Sequence, residues 1–320
     1  MFVAAEVAEL IRERFGPAFI ETLRRDTIFG QLVEPKKERF VEKDIRWKIN
    51  YAGNASVGSF TELQNFGVAG EQAYDTALLD WKLNKVVIRV TGLAQALSQS
   101  QNSIINAIAT ETEQAMRDLK RQVNLQLLSD GEGNLNGANP ALAIGGATAD
   151  ITGIQAAVDD GSLVPVYAGI DRTVNVWWQS FVSDNGGIPR PLSEALMFQV
   201  WNELKIRGGK VTHILCSYNT WTRYGLLLEQ VRRRQESMRM EGGFDTLSFN
   251  GVPVIAVPDY EEGRMDFLDM DQIKWKILQD FSVEPRDPGS FDASTFFVKH
   301  YSQFLYENPW LAGSLRDIAA

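Results

Sequence analysis

Cysteine is almost missing from this 320-residue chain: Cys216 stands alone, so neither an intrachain disulfide nor a multi-cysteine zinc site can form. A reducing compartment fits that usage best. Histidine is nearly as scarce. His213 and His300 are the only side chains whose unperturbed pKa lies near neutrality, and most hydrolytic or metal-dependent mechanisms want several such groups together. No run of ~18 apolar residues exists, so no segment reads as a membrane-spanning helix. The opening MFVAAEVAELIRER lacks the basic start and long apolar core of a signal peptide. Positive charge is in deficit: 32 Lys and Arg against 41 Asp and Glu leave −9, which makes a poor general binder of DNA or anionic membranes. Repeats and low-complexity tracts are absent as well. The hydrophobic and charged fractions, 44% and 23%, exclude disordered and fibrous classes, and the length leaves room for about two domains.

What is present is an unusual order of elements. Residues 1–40 read as an arm: short, charged, helix-like pieces whose seven acids and seven bases cancel, broken at Pro35. Residues 41–50 alternate, with Val41, Lys43, Ile45, Trp47 and Ile49 on one side, which predicts a strand with one covered face. A polar stretch dotted with Gly53, Gly58, Gly67 and Gly70 follows, and 78–91 reads as a second strand running back against the first. The two predict an extended hairpin that cannot be stable alone. Ile104, Ile108, Thr112, Ala115, Leu119, Val123 and Leu127 then mark a helix over 98–129, ~48 Å long, capped by Ser98 and Gln101. Glu111, Glu113, Arg117, Asp118, Lys120 and Arg121 fall mainly off that stripe.

After a glycine-rich stretch, Leu192, Leu196, Val200 and Leu204 predict a helix stopped at Gly208-Gly209. VTHILC (211–216) predicts a buried strand, and Asn219 a cap for a further helix. Asn250-Gly251 is a hairpin turn signal; Pro253 demotes the following strand to an edge or a bulge. Finally 273–283 and 295–306 predict a strand pair around a Pro/Gly loop at 284–293.

Candidate chemistry is thin. Gly131, Gly133 and Gly137 follow a helix, whereas a dinucleotide loop follows a strand, so they read as a turn. Asp130-x-Glu132-x-Asn134 starts like a calcium loop but lacks its glycine and its twelfth-position Glu. Cys216 and His213, three apart on one strand, point to opposite faces and make no nucleophile–base pair. Arg232, Arg233 and Arg234 are balanced by Glu229, Glu236 and Glu241, which suits a solvated or intersubunit loop. The six acids between Asp259 and Asp271 read as a solvated face. Trp177, Trp178, Phe60 and Phe66 sit in polar, flexible surroundings, where aromatics either pack loops or anchor interfaces.

The order of these parts, with the phrases DTIFGQLVEPKKERFVEKDIRWKI, NASVGSF, LLSDGEGNL and GGFDTLSFNGVPVIAVPD, resembles the major capsid proteins of tailed bacteriophages, the Hong Kong 97 fold family. That resemblance implies an α+β fold. Its parts would be an N-terminal arm (1–40), an extended β-hairpin loop (41–91), a peripheral domain (92–155 and 272–307) holding the spine helix 98–129, an axial domain (156–271), and a C-terminal segment (308–320) that returns to the axial domain. It implies a non-enzymatic, cofactor-free subunit that assembles through hexamers and pentamers into an icosahedral shell around double-stranded DNA, in the host cytoplasm and away from membranes. Portal, scaffold and decoration proteins would be its partners. Trp47, Gly58, Phe60 and Phe66 on the extended loop, Arg232, Arg233 and Arg234, and Arg286, Asp287 and Phe291 on the peripheral loop are the expected intersubunit contacts. Some members weld subunits through a lysine on the extended loop. No lysine lies between Asn50 and Asp80, so non-covalent assembly is expected. Only ~40 residues precede the loop, so a scaffold would be separate or already removed. The rival readings are an encapsulin-like cargo shell, a hydrolase using Cys216 or His213, and a phage tail or connector component.

Overall fold

The computed structural model describes residues 28–62, 70–92, 101–131, 150–230, 238–239, 245–286, 289 and 292–319. In chain order, helix α1 (Ile28–Val33) leads into β1 (Lys37–Arg39), the ribbon strands β2 (Ile45–Ala52) and β3 (Ala73–Leu79), then β4 (Lys82–Thr91) and the long helix α2 (Gln101–Leu128). Next come α3 (Ile154–Ala157), the short pair β5 (Val166–Tyr167) and β6 (Ile170–Asp171), β7 (Phe181–Ser183), α4 (Glu194–Ile206), β8 (His213–Cys216) and α5 (Tyr218–Gln230). Strands β9 (Met238–Arg239), β10 (Asp245–Phe249), β11 (Val252–Ala256), β12 (Met265–Leu268), β13 (Ile273–Arg286), β14 (Ala293–Tyr306) and β15 (Gly313–Leu315) complete it.

Two sheets carry the architecture. The long sheet has the order β1-β13-β14-β4, and the central sheet the order β7-β15-β12-β8-β11-β10-β9. Central strands read as continuous apolar runs because both faces are covered. Ile214 and Cys216 face Met197, Val200 and Leu204 of α4, while Leu215 and Ile255 join the main core with Trp178, Trp275 and Phe304. Helix α4 starts where the hydroxyl of Ser193 accepts from the Leu196 amide, and stops at Gly208, whose φ of 81° few other residues adopt.

Where its side chains are described, the long helix follows its stripe, with Ala115 half-buried; those of Ile104 and Ile108 lie outside the described residues. Thr112, Met116, Leu119, Val123 and Leu127 are buried, and Met116 and Leu119 meet Ile88, Phe296 and Val298 of the long sheet. Its last turns plunge into the core, where even polar side chains are buried. Asn124 accepts from the Gly30 amide at 3.2 Å, and Gln126 donates to Asp150 at 2.7 Å. Lys120, expected off the stripe, is buried too. The Ser98 cap, and Gly133 and Gly137, lie outside the described residues.

Several sequence expectations are corrected. The strand begins at Ile45 rather than at residue 41; Val41 is exposed. The run 78–91 is two strands broken at Asp80-Trp81. Strand β3 closes the ribbon on β2, whereas β4 leaves it and pairs with β14 from Thr91↔Ala293 to Lys82↔Ser302. The end of the arm is core: Phe29 and Val33 are fully buried, and β1 adds a parallel strand to β13. Loop 284–293 is shorter than expected, since β13 runs to Arg286 and β14 starts at Ala293. Ser217, not Asn219, caps α5, accepting from the Thr220 amide at 3.3 Å. Pro253 lies inside the central sheet. It pairs with Ser248 next to the Phe249↔Val252 turn pair, a non-hydrogen-bonded position that needs no amide, and the ladder to β8 starts only at Val254. The turn itself is as expected, with Asn250 and Gly251 both at positive φ.

The acidic stretch 259–271 is only partly solvated: Glu262 and Asp271 are exposed, but Asp266 and Asp269 are buried. Strand β12 is wholly buried, and Asp266 lies between the Arg264 guanidinium, at 2.9 Å, and the Tyr260 hydroxyl. The tail returns to the central sheet, β15 lying between β7 and β12.

Candidate assembly surface

Conventional catalytic parts do not converge. The Cys216 thiol is buried, donates weakly to the Ile255 carbonyl at 3.8 Å, and is pushed well above its ordinary pKa by burial. His213, pushed down by burial, contacts its neighbour Thr212 at 3.1 Å on the other side of the strand. Among the described residues, no cluster of His, Cys, Asp and Glu could hold a metal ion.

The ribbon is the feature that lacks a home. Its base is fixed. Ile45, Ala77 and Leu79 are buried, the Leu78 amide donates to Ala168 at 2.9 Å, and the Trp47 indole donates to the Glu307 carbonyl at 3.0 Å. Trp47 also lies 6.4 Å from Trp178, which is fully buried and donates to Tyr167. Further out, Tyr51 stacks on Trp177 at 4.5 Å, a geometry worth ~0.5–1.5 kcal/mol beyond area burial. The outer part then projects. Its turn is locally bonded, with Asn54 accepting from the Ser56 amide at 2.8 Å, while Val57 and Phe60 are 85% and 64% exposed. A Cβ on Gly58 would meet nothing. Residues 51–80 hold four acids (Glu62, Glu71, Asp75 and Asp80) and no Lys, Arg or His.

A second surface has the opposite character. On the outer face of the long sheet, Val87 lies opposite Phe297, Lys85 opposite Lys299 and Leu83 opposite Tyr301. All but Val87 line, with Glu284, Pro285 and Arg286, a groove of about 520 Å³. Leu83 and Val87 are exposed. Arg286 lies over the Phe297 ring at 4.8 Å, and Lys299 pairs with Glu284. Three cations thus face one acid along an apolar strip.

Of the expected contact residues, Trp47 is half-buried at the ribbon base, where its indole is bonded to Glu307. Gly58 and Phe60 lie on the projecting part, and Arg286 edges the groove. Phe66, Arg232, Arg233, Arg234, Asp287 and Phe291 lie outside the described residues. Leu83, Val87, Phe297 and Tyr301 were not singled out from sequence. The signal existed: in 82–91 the odd positions are the polar phase, and Leu83 and Val87 interrupt it.

Comparison with known proteins puts this geometry in context. A family described as SU10 major capsid protein matches residues 84–298. The capsid asymmetric unit of cyanophage A-1(L) is similar at 17% identity, with a TM-score of 0.73 over 92% of this chain and 93% of that one. Gordonia phage Cozz gives 14% identity and a TM-score of 0.57 over 92% and 87%. The holo-SrpI encapsulin complex from Synechococcus elongatus PCC 7942 gives 12% and 0.54 over 88% and 84%. At these identities the likeness shows a shared fold, that of Hong Kong 97-like shell proteins. No curated protein matches the sequence.

Proposed function

Because this chain belongs to the SU10 major capsid protein family and is therefore a structural subunit of a tailed-phage shell, we propose that neighbouring copies are held by the ribbon of one docking on the outer sheet face of the next. The observation that carries this reading is complementarity: an acidic, aromatic tip with Val57 and Phe60 exposed, and a basic, apolar groove. Phe60 would anchor in the groove between Leu83, Phe297 and Tyr301, and Glu62 would face Lys85 or Arg286. With no lysine between Asn50 and Asp80, the joint is non-covalent.

The finer assignments follow the same logic. The central sheet with α4, α5 and the returning tail serves as the axial domain at ring centres. The long sheet with α2 serves as the peripheral domain, and the turn at 287–292 meets its copies near threefold positions. The rings are hexamers and pentamers, closing into an icosahedral shell assembled in the host cytoplasm with separate portal, scaffold and decoration proteins. The enclosed cargo is double-stranded DNA, which a net charge of −9 repels instead of trapping. Weak joints suffice, because many copies sum their contacts, and the subunit acts by assembly with no turnover.

Electron microscopy of the purified chain tests the reading. Closed shells are expected, and Glu62→Lys combined with Phe60→Ala should leave unassembled subunits. A chain that stays monomeric at high concentration would overturn it. Shells that package protein cargo in place of DNA would favour the encapsulin-like alternative.

A further inference from the structure

The ribbon has a kink at a defined residue. Asn50 pairs with Tyr74 and Ala52 with Ala73, so Tyr51 is the extra residue of a β-bulge. A bulge bends its strand, raises the local twist and re-aims the side chain it carries. Tyr51 is aimed at the body, its ring on the Trp177 indole with planes only 10° from parallel. Trp177 is held from beneath, since the 3-10 turn Val176–Trp178 is anchored by the fully buried Trp178. On one side of the bulge lies the fixed base, with Trp47 bonded to Glu307. On the other lies the projecting turn with Val57 and Phe60. Neither ring of the stack is itself buried, so it can part without opening the core.

We propose that the Tyr51–Trp177 stack is a clasp that sets the ribbon's angle. Closed, it holds the strand beyond the bulge against the body; open, it lets the tip pivot about residue 51 while the base stays fixed. An aromatic pair of this kind shifts such an equilibrium by about two- to twelve-fold, enough to bias one angle and too little to forbid another. One sequence could then present its tip to neighbours at more than one angle, as rings of different size demand. That use rests on the shell reading; the clasp does not.

The test uses the full chain, unassembled and dilute. Cys216 is buried with an unreactive thiol, so spin labels go to cysteines introduced by Ser59→Cys on the tip and Gln199→Cys on the exposed side of α4. Double electron–electron resonance should give one dominant distance. Tyr51→Ala should raise the displaced population about two- to twelve-fold, Trp177→Ala should do the same from the other side, and Tyr51→Phe, which keeps the ring, should preserve the parent distribution. The clasp is refuted if both alanine variants keep the parent distances, or if Tyr51→Phe moves them as far as Tyr51→Ala. Failure to form shells with these distances intact would count against the assembly reading alone.

Discussion

The central sheet is built from strands of two to five residues and the ribbon from strands of eight and seven, yet the shorter strands are the better buried. In the central sheet, charges taken out of water have partners. Arg264 meets Asp266, Glu261 and the Val158 carbonyl, and Arg316 meets Asp159 at 2.7 Å. In the ribbon, two strands pair only with each other, and apolar side chains stand in solvent. On the proposed docking, stability resides in the first region and association in the second. Substitutions should therefore separate the two properties cleanly.

The largest expected effect is at the heart of the central sheet. Arg264→Ala strands a buried carboxylate, which costs ~3–5 kcal/mol, and urea unfolding of the subunit should show it. A cost below ~1 kcal/mol would mean that the Arg264–Asp266 pair does not hold this region, and the comparison would blur.

Next comes acid. His300 is fully buried, stacked on Phe281 at 4.0 Å, with Asp280 at 3.6 Å. Burial outweighs Asp280 and holds the imidazole down at about 4, against 6.5 when free. The unfolded chain thus binds the extra proton first as pH falls. This contribution is complete above pH 6.5 and is lost as pH falls toward about 4, on the order of 3 kcal/mol in all. Stability measured across that window should fall less steeply in His300→Gln.

A smaller effect belongs to the hairpin turn of the central sheet. Gly251 sits at φ 78°, so Gly251→Ala should cost about 1 kcal/mol. The smallest effect on folding, and the largest on association, is expected at the ribbon. Phe60→Ala should leave unfolding within ~0.5 kcal/mol of the parent while sedimentation shows loss of shells. Equal losses in both assays would break the division between the two regions.

Much of this was legible in the residues. The stripe Thr112–Leu119–Val123–Leu127, the Asn250-Gly251 turn, the VTHILC strand and the projecting ribbon all follow from local periodicity and turn chemistry. What failed were inferences that needed partners distant in sequence. Strand β4 alternates like a ribbon strand, and only its pairing with β14 assigns it elsewhere. Acids at 259–271 look solvated until Arg264 is placed beside Asp266. Phe29 and Val33 look like arm residues until Asn124 and Phe304 arrive. The candidate surface was half visible: Phe60, Gly58 and Arg286 were singled out, while the groove, made by three strands together, was not.

The position of β15 has a consequence for synthesis. Strand β7 pairs, among the described residues, with β15 alone, so residues 181–183 have no ladder partner until residues 313–315 have left the ribosome. Pairings this remote along the chain close slowly. Nascent copies therefore wait with a half-built sheet, which would make the yield of soluble subunit depend on growth temperature and on chaperone supply.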